Sequence, residues 1–131
     1  MATLCELFNK LEDGRNAALM DAAIEREIND LDFDIFLLEE ARNSLNAENI
    51  EDIRKLEGKF VISFKSECDL YRLVGLEMPD GISAYENDWG FRIAIDINDP
   101  EMLDEYFSSI VKTVEEVIAD RKRQIETLEG R

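Results

Sequence analysis

At 131 residues the chain has the length of one ordinary domain, and 45% hydrophobic residues beside 35% charged ones exclude a disordered chain and describe a packed core under a solvated surface. The formal net charge of -16, from 31 Asp and Glu against 15 Lys and Arg, sets the chain against direct binding of nucleic acid or anionic lipid and toward basic partner surfaces. No run approaches the roughly 20 apolar residues of a membrane span, and the first residues lack the basic start and apolar stretch of a signal peptide, so a cytoplasmic protein without membrane contact is expected. Cys5 and Cys68 stand far apart, with no CxxC pair and no histidine, and are expected as reduced thiols.

The chain opens with the capping box Thr3-Leu4-Cys5-Glu6. A short helix is expected to carry Leu4, Leu7, Phe8 and Leu11 on one face and to stop at Asp13-Gly14. From about Asn16 to Leu45, Met20, Ile24, Ile28, Leu31, Ile35, Leu38 and Leu45 recur at four-and-three spacing, interrupted by Arg42, which predicts one long helix with a coiled-coil-like seam. Phe33, Phe36, Leu37 and Ala41 add a second apolar side to it. A short helix over about 47 to 57, with Ile50, Ile53 and Leu56 inward and Gly58 as its stop, is expected to cover part of this surface.

At Lys59 the period changes to two. Phe60, Ile62 and Phe64 alternate with Val61, Ser63 and Lys65, a second strand is expected over Tyr71 to Met78 before the turn Pro79-Asp80-Gly81, and a third over Ile82 to Tyr85. After Asn87-Asp88-Trp89-Gly90, a strand with Phe91, Ile93, Ile95 and Ile97 on one face closes an antiparallel meander. Asp99-Pro100 then starts a last helix of about 30 residues, about 45 Å long, closed at Gly130. Leu103, Phe107, Ile110, Val114, Val117, Ile125 and Leu128 form its seam, with Arg121 and Gln124 within it. The expected architecture is a single α+β domain in which two long helices and shorter ones pack on an antiparallel sheet of three to four strands: helical over 1–58, a β-meander over 59–98 and a long helix over 99–130.

Asp30, Asp32 and Asp34 have the spacing that begins an EF-hand loop, but Ile35 stands where the turn glycine belongs and Ala41 where the last glutamate belongs, so a solvated acidic helix face is the better reading. Glu39-Glu40 and Glu115-Glu116 are adjacent pairs that point in different directions on a helix. With no histidine, no glycine-rich phosphate loop and no recognisable nucleophile and base, neither catalysis nor a cofactor is expected.

A binding protein is expected instead: an inhibitor or decoy that occludes a basic, nucleic-acid-binding surface of a larger protein, in the manner of phage anti-defence and immunity proteins as a compositional class. The candidate partner-binding residues are Glu27, Asp30 and Asp34 on the first long helix and Glu86, Asp88 and Trp89 around a turn, with the tryptophan either an anchor or folded back over the sheet edge. A homodimer is expected through the seam Phe107, Ile110, Val114, Val117, Ile125 and Leu128, because the last helix outruns a domain of this size. The strand from Phe91 to Ile97, Asn98-Asp99-Pro100 and the amphipathic helix after them resemble, over roughly forty residues, the end of the small acidic class I secretion chaperones, whose strand-rich pattern the helical first half does not share. That resemblance implies an alternative role as a chaperone or adaptor with an apolar groove for another protein.

Overall fold

The computed structural model describes residues 3–66 and 68–130, without the side chains of residues 15–19. Helix α1 (Leu4–Ser44) leads through a 3-10 turn (Ala47–Asn49) into strands β1 (Ile50–Leu56) and β2 (Lys59–Phe64). A second 3-10 turn (Tyr71–Leu73) precedes β3 (Ile82–Asn87) and β4 (Gly90–Ile95), and a third (Pro100–Met102) runs into α2 (Leu103–Glu129). The four strands form one antiparallel sheet in the order β1-β2-β4-β3, so the architecture is α+β.

The core lies between the helices and one face of the sheet. Phe60, Ile62 and Phe64 of β2, Ile82 of β3 and Phe91, Ile93 and Ile95 of β4 point to this face, as alternate strand residues must. Leu38 and Ala41 of α1 and Ile110 and Val114 of α2 close over it with no exposed surface, and Leu70 and Leu73 plug it from the loop between β2 and β3. The helices run antiparallel, since Asp34 meets Arg121 while Ile24 and Ile28 meet Leu128. Because α1 has 41 residues and α2 has 27, at about 1.5 Å per residue the first four or five turns of α1 run past the end of its neighbour.

Two of the expected caps form. Thr3 Oγ1 accepts from the Glu6 amide at 3.2 Å, and Asp99 Oδ1 accepts from the Glu101 amide at 3.0 Å ahead of α2. Three expected boundaries differ. Gly14 does not end the first helix: a Cβ there would meet nothing within 4 Å, and the helix passes through, since an interior glycine only weakens a helix by about 1 kcal/mol.

The segment expected as a helix over 47 to 57 is the edge strand β1. Backbone pairing with β2 outweighs its three-residue apolar spacing, and Glu57 and Gly58, with φ of 52° and 80°, make the two-residue hairpin loop. The strand expected over Tyr71 to Met78 is a 3-10 turn and loop. Gly75, at φ 92°, bends the chain so that Leu73 is buried and Leu76 and Met78 pack against the core without a ladder.

Leu38 has no exposed surface between the two layers, so Leu38→Ala is expected to cost about 2–5 kcal/mol through the cavity it leaves. Urea denaturation followed by far-UV circular dichroism measures this, with the exposed Glu27→Ala as a control within about 0.5 kcal/mol of the parent.

Candidate binding surfaces

The acidic residues of α1 do not form one surface. Asp30, Asp32 and Asp34 sit on helical backbone, where residues two apart point away from each other, so they do not converge as a calcium loop would require. Among the described residues, no cluster of Cys, Asp and Glu side chains is arranged to hold a metal ion. Glu27 and Asp30 are exposed, as expected of a contact face.

Asp34 is not available to a partner. It is half-buried between two guanidinium groups: Arg72 of the loop after β2 gives it a two-pronged contact, Nε to Oδ1 and Nη2 to Oδ2 at 2.9 Å, and Arg121 of α2 donates from Nε to Oδ2 at 3.3 Å. Hydrogen bonding from Arg72 is the main cause that holds the Asp34 carboxyl below its ordinary range. Desolvation opposes it, and the charge of Arg72 and the bond from Arg121 add to it. The same hydrogen bond raises the Arg72 guanidinium in turn. One carboxylate thus ties α1, α2 and the β2–β3 loop together, and Asp34 belongs to the scaffold.

Glu86, Asp88 and Trp89 are all exposed at the β3–β4 hairpin. Asn87 Oδ1 accepts from the Trp89 amide at 2.9 Å, and Arg92 donates to the carbonyls of Phe91 at 2.9 Å and Trp89 at 3.1 Å, which fixes the turn from below. The indole does not fold over the sheet edge. At 82% exposure it stands beside an open concavity of about 490 Å³ on the sheet face away from the helices, where Leu56, Val61, Tyr85 and Arg92 are among the lining residues. Sequence alternation pointed to an outward face but not to this concavity, because β1, which supplies Asp52, Arg54 and Leu56, read as a helix.

A second open groove, of about 620 Å³, lies between the loop Gly75–Pro79 and α2, with Leu76, Met78 and Val117 beneath the carboxylates of Glu77, Glu116 and Asp120. Asp120 pairs there with Arg121 at 3.2 Å and with Arg123 at 3.5 Å.

The α2 seam expected to hold two copies together is spent inside the chain. Ile110 and Val114 have no exposed surface, Phe107, Val117 and Ile125 are half-buried against the core, and Leu128 lines an open groove of about 260 Å³ with Ile24 and Ile28 of α1. Exposed apolar side chains on α1 are Leu4, Leu7, Phe8 and Leu11 at its start, Met20, and Phe33 and Phe36 further along, and Ile53, Leu56, Tyr71, Val74, Trp89 and Met102 are exposed elsewhere. Comparison with protein-family models, with curated proteins and with solved structures finds no match for this chain.

Because the folded Asp34 carboxyl titrates below its unfolded value of about 3.9, the stability it contributes is complete above that pH and is lost as pH falls toward the depressed folded value. Asp34→Asn is expected to lower the urea midpoint at pH 6 and to flatten the acid side of the stability profile between about pH 5 and 2. Urea melts across that range check it, and a parallel shift of parent and variant at every pH counts against the assignment.

Proposed function

We propose that the chain acts by binding and not by catalysis, as an acidic inhibitor or decoy that occludes a basic, nucleic-acid-binding surface of a larger protein in the cytoplasm, without itself binding nucleic acid or a membrane. The observation that supports this most is how charge is spent. Among the described residues, ion pairs engage Arg54, Arg72, Arg121, Lys122 and Arg123 with only Asp34, Glu39, Asp52 and Asp120. This pairing leaves the net charge of -16 as it is, and carboxylates outside these pairs, Glu27, Asp30, Glu86 and Asp88 among them, are exposed to a partner. Self-association through the α2 seam has no place in this reading, because Ile110 and Val114 at its centre are buried and Phe107, Val117 and Ile125 already pack against the core.

A second reading, a chaperone or adaptor for another protein, has support from the uncovered sheet face beside Trp89. The two differ in what they ask of a partner. A decoy is held by charge and weakens with salt, whereas an apolar docking face keeps its affinity.

The test is affinity capture from the native host, followed by binding kinetics of the captured protein between about 50 and 300 mM salt, where exposed charges lose much of their reach. A decoy is expected to lose association rate over that range. Reversal of Glu27 and Asp30 to Lys, or of Glu86 and Asp88 to Lys, is expected to slow association about tenfold at the surface that is used, with unchanged thermal stability. Asp34 is left intact because its reversal would place three cations together. Binding that is indifferent to salt and to both reversals but is lost in Trp89→Ala replaces the decoy by the adaptor.

A further inference from the structure

We propose that the open edge of β1 pairs antiparallel with β1 of a second copy of this chain, centred on Ile53, so that the two sheets join into one. β1 ends the strand order β1-β2-β4-β3 and has a strand on one side only. Glu57 and Gly58, both at positive φ, make a two-residue turn of the type whose flanking residues, here Leu56 and Lys59, are hydrogen-bonded to each other. Bonded pairs alternate along an antiparallel ladder, so Arg54 and Asp52 also spend their backbone groups on β2, and Ile53 and Lys55 turn theirs to the open side. Among the described residues no backbone hydrogen bond from another element reaches these two, and the strand is exposed from Ile53 to Leu56. Free amides and carbonyls in a row are a template for another strand.

The side chains decide which strand fits. Residues 51 to 55 read Glu-Asp-Ile-Arg-Lys, with acids before Ile53 and bases after it. Outward-turned residues must face one another across a ladder, so a second β1 slides only in steps that keep this match. A two-fold axis at Glu51, Asp52, Arg54 or Lys55 sets a charge against its own copy. At Ile53 it sets Asp52 opposite the partner's Arg54, and Arg54 opposite the partner's Asp52, on the sheet face away from the helices. The two Ile53 side chains, each 45% exposed in the single chain, meet on the other face. Asp52 and Arg54 are ion-paired within the strand, and the axis brings the equivalent pair of the copy beside them, so four charges of alternating sign form one cluster. A parallel copy in register lays like charge beside like. Read antiparallel, the complement of acid, isoleucine, base is the same sequence, and this names the occupant.

Charge also favours this place of contact. A chain of net charge -16 repels its own kind over most approaches. The β1–β2 hairpin is an exception, since over 50–65 Arg54, Lys55, Lys59 and Lys65 stand against Glu51, Asp52 and Glu57. Two hairpins approach without that opposition. The bulge between Ile50 and Asp52 ends regular pairing at one end, so residues 52–55 carry most of the contact. It belongs with the small, reversible interfaces below roughly 1,200 Å². The axis closes the assembly at two copies, because β1 of each is then covered on both sides.

This pairing does not rest on the binding reading above, and its test needs no other protein. In light scattering from micromolar to millimolar concentration, the parent is expected to rise from the mass of one chain to that of two. Asp52→Arg alone and Arg54→Asp alone each set like charges across the axis, and each is expected to raise the dissociation constant about tenfold or more. An equimolar mixture of these two variants is expected to pair at least as tightly as the parent. Every contact across the axis is then again between opposite charges, although neither chain keeps its in-strand ion pair. Thermal midpoints are expected to hold at concentrations where the parent is monomeric, since Arg54 is exposed and Asp52 only half-buried.

Register is read in a Cys5→Ser background. Ile53→Cys, with about 5.5 Å between the two Cα atoms, is expected to form a disulfide-linked dimer under mild oxidation, while Leu56→Cys, about 20 Å from its own copy, is not. A single-chain mass at the highest soluble concentration, a dimer indifferent to both single reversals, a mixture that pairs no better than its components, or cross-linking at position 56 and not at 53 overturns the proposal.

Discussion

The sheet has one face that must be kept from water, and the fold follows from how that is done. Ile62, Ile93 and Ile95 are all but inaccessible, and a four-stranded antiparallel sheet supplies nothing of its own to cover them. Two helices supply the cover, with Leu38 and Ala41 from one and Ile110 and Val114 from the other. Once α2 is committed to this task the centre of its apolar seam, Ile110 and Val114, is used up. A seam at coiled-coil spacing says that a helix has a partner, and here the partner is the same chain.

Covering a sheet with helices leaves the question of what fixes the helices against each other, since apolar contact resists sliding only weakly. Asp34 answers it at one point. Its two oxygens take Arg72 from the loop and Arg121 from α2, and a two-pronged guanidinium contact has a geometry that a shift of one helical turn destroys. The three groups are half-buried, so the gain over water is modest while the demand on register is strict. The cost is that a carboxylate which looks like surface charge in the sequence is withdrawn from any partner.

Elements that rest on local chemistry were legible before the structure. Thr3 and Asp99 as caps, the alternation of Phe60, Ile62 and Phe64 and of Phe91, Ile93 and Ile95, and the long helices α1 and α2 appear where sequence placed them, whereas Met20, expected at the start of the α1 seam, is exposed. What failed was set by distant partners. Ile50, Ile53 and Leu56 have helical spacing, but β2 has an edge to fill and β1 is joined to it by a two-residue turn, which Glu57 hid because glutamate is not a residue that signals a left-handed backbone. Leu73, Leu76 and Met78 mimic a strand because a loop that caps a core also needs apolar residues at short intervals. For the candidate surfaces, exposure at Glu27, Asp30, Glu86, Asp88 and Trp89 followed from position in helix and turn, whereas the pairing of Asp34 joins residues 38 and 87 positions apart and no local pattern carries it.

Charge and apolar surface lie side by side on the outside of this molecule, and that mixture bears on how it works. The core takes the inward residues of the sheet and of both helices, and the net negative charge outside it sets the field that other molecules meet. Leu4, Leu7, Phe8 and Leu11 stand exposed on the part of α1 beyond the end of α2, Phe33 and Phe36 on the part alongside it, and Trp89 on the hairpin with Glu86 and Asp88. Apolar surface set among carboxylates offers a partner a charge that steers its approach and a contact that holds it, and salt weakens the first while leaving the second.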